Sequence, residues 1–155
     1  MKRALAIDGH SFGPDHPNVA IHLNNLAALL QDTNRLSEAE PLYRRALAID
    51  EQSFGPDHPN ATIHLNNLAA LLQDTNRLSE AEPLMRRAMA IAEKSFGLEH
   101  PKCAIISENL RLLLQKLEKA QAKSNFNGNS NDLRYSSYTG GSSNFVQRLR
   151  RWLWD

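Results

Sequence analysis

Histidine is the residue type in this chain best suited to metal binding or acid–base chemistry, and it recurs at fixed places. His16, His58 and His100 each precede a proline, and His22 and His64 lie six residues after the first two. Zinc needs three or four ligands within about 2 Å of the ion, whereas equivalent residues of stacked repeats lie roughly 10 Å apart. The spacing predicts no metal centre and favours histidines that order the turns.

Asp15 and His16, with their repeated copies, are a candidate acid and base for catalysis. No nucleophile lies near them in the sequence, and repetition of the pair suits architecture better than a single active site. Gly13 and Gly55 are single turn glycines, far from the GxxxxGKS/T or GxGxxG pattern of a phosphate loop. We therefore expect neither enzymatic activity nor a cofactor.

Composition limits the partners and the compartment. The chain has 155 residues, of which 41% are hydrophobic, and so can bury a core. Residues 1–122 contain 13 basic and 15 acidic side chains, and residues 123–155 contain five and two. The near-neutral body argues against nucleic-acid binding, which needs a concentrated basic stripe. A lone Cys103, no signal peptide and no apolar run near about 18 residues predict a soluble cytoplasmic protein rather than a membrane-bound one.

An internal repeat of 42 residues dominates the chain. Residues 3–44 align with residues 45–86, and a third copy from Arg87 keeps SFG, HP and the apolar spacing until it diverges after Lys102. The first two copies differ at five positions: Gly9/Glu51, His10/Gln52, Val19/Ala61, Ala20/Thr62 and Tyr43/Met85. A period of this length predicts stacked supersecondary units that bury their apolar faces against one another.

Each unit contains two predicted helices. Helix A has apolar residues at i, i+4, i+7 and i+11, namely Val19, Leu23, Leu26 and Leu30. Asn34 follows, a residue type that tolerates the left-handed conformation ending a helix. Helix B follows a second helical line, formed by Leu36, Ala39, Tyr43, Ala46 and Asp50, and Ser37 with Glu40 has capping-box spacing at its start. The alanines at 20, 27, 39 and 46 allow close helix packing.

The predicted fold is an all-α superhelix of six helices with a flexible C-terminal tail. The helices are expected at residues 2–11, 18–32, 37–54, 60–74, 79–96 and 102–122. The array would consist of a half unit at 1–12, units at 13–54 and 55–96, and a terminal capping helix within 97–122. Because the array starts in mid-unit, its first helix has an apolar edge without a partner. We expect either a fragment of a longer array or self-association.

The repeat resembles a known family. Leu23-x-Asn25-Leu26-Ala27-x-x-Leu30, Asn34-Arg35-Leu36-x-Glu38-Ala39 and Tyr43-x-x-Ala46-Leu47 are similar to the tetratricopeptide repeat. The 42-residue length and the HP before helix A are similar to the kinesin light chain and nephrocystin-3 subclass. The resemblance covers residues 1–122 and implies a non-catalytic protein-binding scaffold. Ala27 stands where the family commonly has glycine, and Leu23 and Leu30 stand where it usually has aromatic residues.

The resemblance implies that one side of each helix A lines a concave peptide-binding groove. The corresponding residues are Ile21, Asn24, Asn25, Ala28, Gln31 and Asp32; Ile63, Asn66, Asn67, Ala70, Gln73 and Asp74; and Ile105, Glu108, Asn109, Leu112 and Gln115. Asn25, Asn67 and Asn109 are the leading candidates to bond the backbone of an extended peptide. The alternative is that these amides join adjacent helices or face water. Isoleucine replaces the Lys or Arg of a carboxylate clamp at 21, 63 and 105, which favours an apolar ligand side chain.

The tail differs in composition from the repeats. Residues 123–144 are rich in Ser, Asn and Gly and are expected to form a flexible linker. Residues 145–155 form a short amphipathic segment with basic and apolar residues, and its candidate ligand residues are Phe145, Leu149, Trp152, Leu153 and Trp154. Eleven residues do not hold a helix alone in water. Its possible surfaces are a repeat groove, an anionic membrane or another partner, and the remaining alternative is a disordered end. Leu153-Trp154-Asp155 resembles the tryptophan-acidic motif that kinesin light chain grooves accept.

These observations lead to two functional hypotheses. The first is a protein-interaction scaffold that binds a peptide or partner protein in the groove. The second is a self-assembling or autoinhibited module, in which the tail or the open N-terminal edge is the ligand.

Overall fold

The computed structural model describes the backbone of residues 13–128 and the side chains of residues 13–125. The chain divides into two compact units, Met1–Ala120 and Gln121–Asp155. The first unit contains the helical array, and the described part of the second, residues 121–128, is helical. The helix predicted at residues 2–11 and the tail from residue 129 onwards lie outside the described residues.

Residues 13–128 form five α-helices and no strand. The helices are α1 (Pro17–Asp32), α2 (Leu36–Phe54), α3 (Ala61–Asp74), α4 (Leu78–Phe96) and α5 (Pro101–Gly128). Helices α1, α3 and α5 are the helices A of the repeat, and α2 and α4 are the helices B. The predicted all-helical fold is confirmed, and the predicted starts of these five helices each lie one residue from the observed ones. Within this part of the chain, no helix is both long and apolar enough to cross a bilayer.

A three-residue turn links each helix A to its helix B. Asn34 has a φ of 59° and Asn76 a φ of 58°, as the sequence predicted for Asn34. The Thr33 hydroxyl donates to the carbonyls of Leu29 and Leu30 at 3.0 Å, and the same carbonyls accept the backbone N–H groups of Thr33 and Arg35. Asparagine tolerates the left-handed conformation better than most residues, so the chain reverses here.

The predicted capping box at the start of helix B is wrong. Helix α2 begins at Leu36, with Arg35 at the N-cap position and no side-chain cap. The Glu40 carboxylate instead pairs with Arg44 and with Arg77 of the next unit, both at 2.7 Å. Desolvation raises the pKa of Glu40, but hydrogen bonds from the two guanidinium groups outweigh it and lower the pKa overall. A charged partner on each side holds the glutamate away from the backbone.

The histidines before proline bind the backbone at the start of the helices A. Nδ1 of His16, His58 and His100 accepts the backbone N–H two residues later, at 3.2, 3.3 and 3.1 Å. The Phe54 ring stacks on the ring of His58 with centroids 4.6 Å apart. These contacts give the loop histidines the turn-ordering role that the sequence indicated.

The core lies between successive helices. Helix α1 packs on α2, α2 on α3, and α3 on α4, and α1 also contacts α3. One core cluster extends from Ala27 of α1 to Leu113 of α5, and a second joins Val19, Leu23 and Ile49. The alanines at 20, 27, 39 and 46 are fully buried, which confirms the prediction that small residues permit close approach of the helices.

The outer side of α5 differs from the corresponding side of the other helices A. Leu65 and Ala69 of α3 are fully buried, whereas Ser107 and Arg111 at the equivalent places of α5 are exposed. Arg111 pairs with Glu108 on the same helix at 2.6 Å. The side of the helix that is apolar and buried in α3 is therefore polar and exposed in α5.

Helix α5 is also longer than expected. It continues to Gly128, six residues past the predicted end at Ala122, and so includes the start of the segment expected to be a linker. The other helices A stop at a Thr-Asn pair, and α5 has Leu117 and Glu118 in its place. Without a residue that adopts the left-handed conformation, nothing ends the helix at this point.

Candidate peptide-binding face

One side of the three helices A carries three rows of equivalent residues, which together we name the helix-A face. The isoleucine row contains Ile21, Ile63 and Ile105; the asparagine row contains Asn25, Asn67 and Asn109; and the third row contains Ala28, Ala70 and Leu112. Positions i, i+4 and i+7 of a helix lie on the same side, which explains why the rows run next to one another.

The isoleucine row is exposed. Ile21, Ile63 and Ile105 have relative exposures of 55%, 48% and 61%, which is unusual for this residue type at three equivalent places. An open depression of about 150 Å³ lies between α3 and α5. It is lined by Thr62, Ile63, Asn66, Lys102, Ile105 and Ile106. Apolar side chains therefore border an open space between neighbouring helices A, where a ligand side chain would lose water.

Side-chain amides connect the helices A to one another. Nδ2 of Asn67 donates to Oδ1 of Asn24 at 3.0 Å, and Nδ2 of Asn109 donates to Oδ1 of Asn66 at 2.9 Å. The Asn67 and Asn109 amides therefore join adjacent helices, which is one of the roles that the sequence analysis considered. The side-chain amides of Asn67 and Asn109 each have a second N–H, which takes no part in these bonds between helices.

Equivalent asparagines of the first two units have different surroundings. Asn25 is exposed, whereas its counterpart Asn67 is half-buried and bonded to the preceding unit. Asn24 is buried with 8% exposure, the only buried residue among those expected to line the groove within the described part of the chain. Asn24 therefore acts beneath the helix-A face, while Asn25 lies open on it.

The C-terminal ends of the helices A form a polar edge. Nε2 of Gln31 donates to Asp74 at 2.6 Å, and Lys116 donates to Oε1 of Gln73 at 3.1 Å. The Tyr43 hydroxyl donates to Oε1 of Gln31 at 3.1 Å. Burial, with smaller effects from Asp32 and Asp74, raises the pKa of Tyr43 to about 12.

Glu108 interrupts the pattern on the third helix A. It occupies the position of Asn24 and Asn66, but it is exposed and its carboxylate accepts from Arg111 at 2.6 and 2.8 Å. The hydrogen bond from Arg111 lowers the pKa of Glu108. Gln115 is exposed as well. The helix-A face thus becomes more highly charged next to α5.

A buried polar cluster beneath the helix-A face was not anticipated. Nε2 of His64 lies 3.0 Å from the Asp50 carboxylate, and its Nδ1 lies 3.1 Å from Oδ1 of Asn24. Burial lowers the pKa of His64, and the Asp50 carboxylate partly offsets the shift. The cluster joins α1, α2 and α3.

One feature of the sequence does indicate the histidine–aspartate pair. Asp50 lies 14 residues before His64, and in the next unit both members change together, to Ala92 and Ile106. Ala92 and Ile106 are both buried. A joint change from a polar pair to an apolar pair is expected of two side chains in contact.

The remaining residues considered for chemistry are the potential metal ligands, Cys103 and the apolar residues of the tail. Within residues 13–125, no group of three or more His, Cys, Asp or Glu side chains is arranged to hold a metal ion. Cys103 is buried in the core. The tail candidates, Phe145, Leu149, Trp152, Leu153 and Trp154, lie outside the described residues.

Comparison with known proteins identifies the family. A family model described as Tetratricopeptide repeat matches residues 1–52, 38–94 and 61–127. None of the curated proteins matches the sequence significantly. Among similar solved structures, the crystal structure of BtubC (BKLC) from P. vanneervenii has a TM-score of 0.69 and 22% sequence identity.

The alignment with BtubC covers 91% of this chain and 59% of that chain, so the protein spans little more than half of its structural neighbour. At this identity the likeness shows a shared fold. The family matches extend over most of the chain, and the resemblance inferred from its 42-residue repeat is confirmed. The chain belongs to the tetratricopeptide repeat family.

Proposed function

We propose that this tetratricopeptide repeat protein is a non-catalytic scaffold that binds a peptide segment of a partner protein across its helix-A face. Protein–protein interaction is the general role of such repeats. The observation that carries the proposal is the exposed isoleucine row, which repeats at equivalent positions of three neighbouring helices. Exposed apolar side chains aligned in this way mark a surface that gains free energy when a partner covers it.

The amides beside the isoleucine row support the same function. Asn25 is exposed, and the amides of Asn67 and Asn109 each keep one N–H free of the bonds between helices. Amide donors next to an apolar row suit a peptide, because its side chains bury against the apolar row while its backbone carbonyls accept hydrogen bonds.

Selection of peptides from a random library on the full chain tests the proposal. The selected peptides are then measured against the triple variant Ile21→Ser, Ile63→Ser and Ile105→Ser. Because these side chains are exposed, the variant should keep its helical circular dichroism and lose at least tenfold in affinity. Ala90→Ser is the matched control, since Ala90 is exposed on α4, a helix B.

Two results would contradict the proposal. The first is unchanged peptide affinity in the folded triple variant, and the second is failure to select any peptide above background.

A self-assembling role is the second candidate, favoured by the surroundings of Leu29. This residue is 50% exposed, whereas Leu71, its equivalent in the next unit, is fully buried. An apolar position without its usual cover suits contact with a second copy. Sedimentation of the full chain at several concentrations, with Leu29→Ser for comparison, tests this role, and a strict monomer would exclude it. The synthetic peptide FVQRLRRWLWD, added to the full chain, tests the tail as the ligand.

A further inference from the structure

We propose that the ligand of the helix-A face is an extended peptide in the polyproline II conformation, with an apolar residue at every third position and basic residues in an adjacent register. The inference rests on the proposed function and names the ligand class.

The helices A are parallel and in register. Asn67 bonds Asn24 across an offset of 43 residues, and seven residues further on Gln31 bonds Asp74 across the same offset. The next pair repeats the arrangement, with Asn109 bonded to Asn66 and Lys116 bonded to Gln73. Contacts at two levels of each pair fix the neighbouring axes at a packing distance of about 8–10 Å. The isoleucine row therefore offers one apolar contact about every 8–10 Å.

Only some backbone conformations match this spacing. Polyproline II has three residues per turn and a rise of about 3.1 Å, so every third side chain returns to the same side after about 9.3 Å. A β-strand returns after about 6.7 Å or 13 Å, and its third residue points to the opposite side. An α-helix advances about 10.5 Å in seven residues, but its backbone groups are already bonded to one another and cannot use the amide donors.

The donors on the helix-A face fit a polyproline II backbone. That conformation has no internal hydrogen bonds, so its carbonyls remain available as acceptors. Asn25 is exposed, and Asn67 and Asn109 each have one N–H that the bonds between helices do not use. Each repeat unit offers one amide donor and one isoleucine. The hydrogen bond and the apolar contact therefore both recur every three residues of the ligand.

Charge selects the second register of the ligand. Asp32 and Asp74 are exposed on α1 and α3, eleven residues after the isoleucine of the same helix, which is about 16 Å along the axis. A peptide that lies over the asparagine row runs between the isoleucine row on one side and the two aspartates on the other. Its apolar side chains extend toward the isoleucines, and a long basic side chain extends toward the carboxylates. Lys116 replaces the aspartate on α5 and so limits the basic preference to the first two units.

Fluorescence anisotropy with defined peptides and the full chain tests the inference. The probes are (Ile-Arg-Pro)₃ and (Ile-Pro-Arg)₃, which cover both directions of the peptide along the face. One control has the same composition with isoleucine at every second position, and the other is (Ile-Pro-Glu)₃. We expect one triplet peptide to bind at least tenfold more tightly than either control. Asp32→Asn with Asp74→Asn should reduce the preference for arginine over glutamate and leave the dependence on isoleucine spacing.

The outcomes separate this inference from the proposed function. If the period-two or the acidic peptide binds as tightly as both triplets, the ligand class is wrong and the peptide-binding face remains. If neither triplet binds while library-selected peptides still require the isoleucine row, the inference fails alone. If neither the triplets nor the library peptides bind, both proposals fail.

Discussion

Nδ2 of Asn67 on α3 donates a hydrogen bond to Oδ1 of Asn24 on α1, 3.0 Å away, and so joins the first helices of two consecutive units. The same Oδ1 lies 3.1 Å from Nδ1 of His64, which places a buried acceptor at the junction of three helices. Because the repeats are nearly identical in sequence, the chain contains its own matched controls. The same residue type can be replaced in two units and the consequences compared.

Asn25 and Asn67, two equivalent members of the asparagine row, should differ in their effect on stability. Asn67→Ala removes the bond to Asn24 and is expected to lower the free energy of unfolding by about 0.5–1.5 kcal/mol. Asn25→Ala, at the equivalent exposed place, should change it by less than about 0.5 kcal/mol. Urea unfolding of both variants measures the difference. Equal losses would mean that the inter-helix bond contributes nothing to stability.

The buried pair of His64 and Asp50 should be replaceable only as a pair. Asp50→Ala leaves a buried imidazole nitrogen without its 3.0 Å partner and is expected to cost about 1–3 kcal/mol. Adding His64→Ile recreates the apolar arrangement of Ala92 and Ile106, which is buried in the next unit. The double variant should therefore be more stable than Asp50→Ala alone. Thermal unfolding of the single and double variants measures this. If the stability losses of the two single variants add up in the double variant, the two side chains are not in contact.

Tyr43 should make the fold sensitive to alkaline pH. Its pKa is raised to about 12 in the folded chain, against about 10 when unfolded. A raised folded-state pKa contributes stability that is present below pH 10 and is lost as the pH rises from about 10 to 12. The complete loss amounts to about 2–3 kcal/mol. We expect wild type to lose stability relative to Tyr43→Phe across this window, measured by urea unfolding.

A second variant supports the alkaline prediction. Tyr43→Met reproduces Met85 of the next unit and should also lack the titration, because it has no ionisable group. A constant stability difference between wild type and both variants from pH 8 to pH 11.5 would show that the Tyr43 hydroxyl is not shielded.

Alanine substitution of Leu29 and of its equivalent Leu71 should lower the free energy of unfolding by different amounts, because the two side chains differ in burial. Leu71 is fully buried, so Leu71→Ala should cost about 2–5 kcal/mol through lost contacts and a cavity. Leu29→Ala removes a half-exposed side chain and should cost less than about 1 kcal/mol. Urea unfolding of dilute samples compares the two. A Leu29→Ala cost as large as that of Leu71→Ala would show that something covers Leu29 in solution.

Several features of the fold were available from sequence because they depend on local chemistry. The period of the apolar residues predicted both helices of a unit, and Asn34 predicted the turn because few residues tolerate a positive φ. The loop histidines were assigned correctly to the turns, where Nδ1 of each accepts the backbone N–H two residues later. The isoleucine row is exposed, and its contact with a ligand stays a prediction.

Other features required the tertiary structure, because a side chain's surroundings depend on residues distant in sequence. The capping-box prediction was wrong because Glu40 pairs with Arg77, which lies 37 residues away in the sequence. The contact between His64 and Asp50 depends on the packing of α2 on α3, although the joint change of both positions in the next unit hints at it in the sequence. The clearest example is Leu29 and Leu71, which have the same neighbours in sequence for many residues in each direction. The local sequence determined that both positions are helical and apolar, and only the stacking of neighbouring units decided which one is buried, because burial depends on the helices packed alongside.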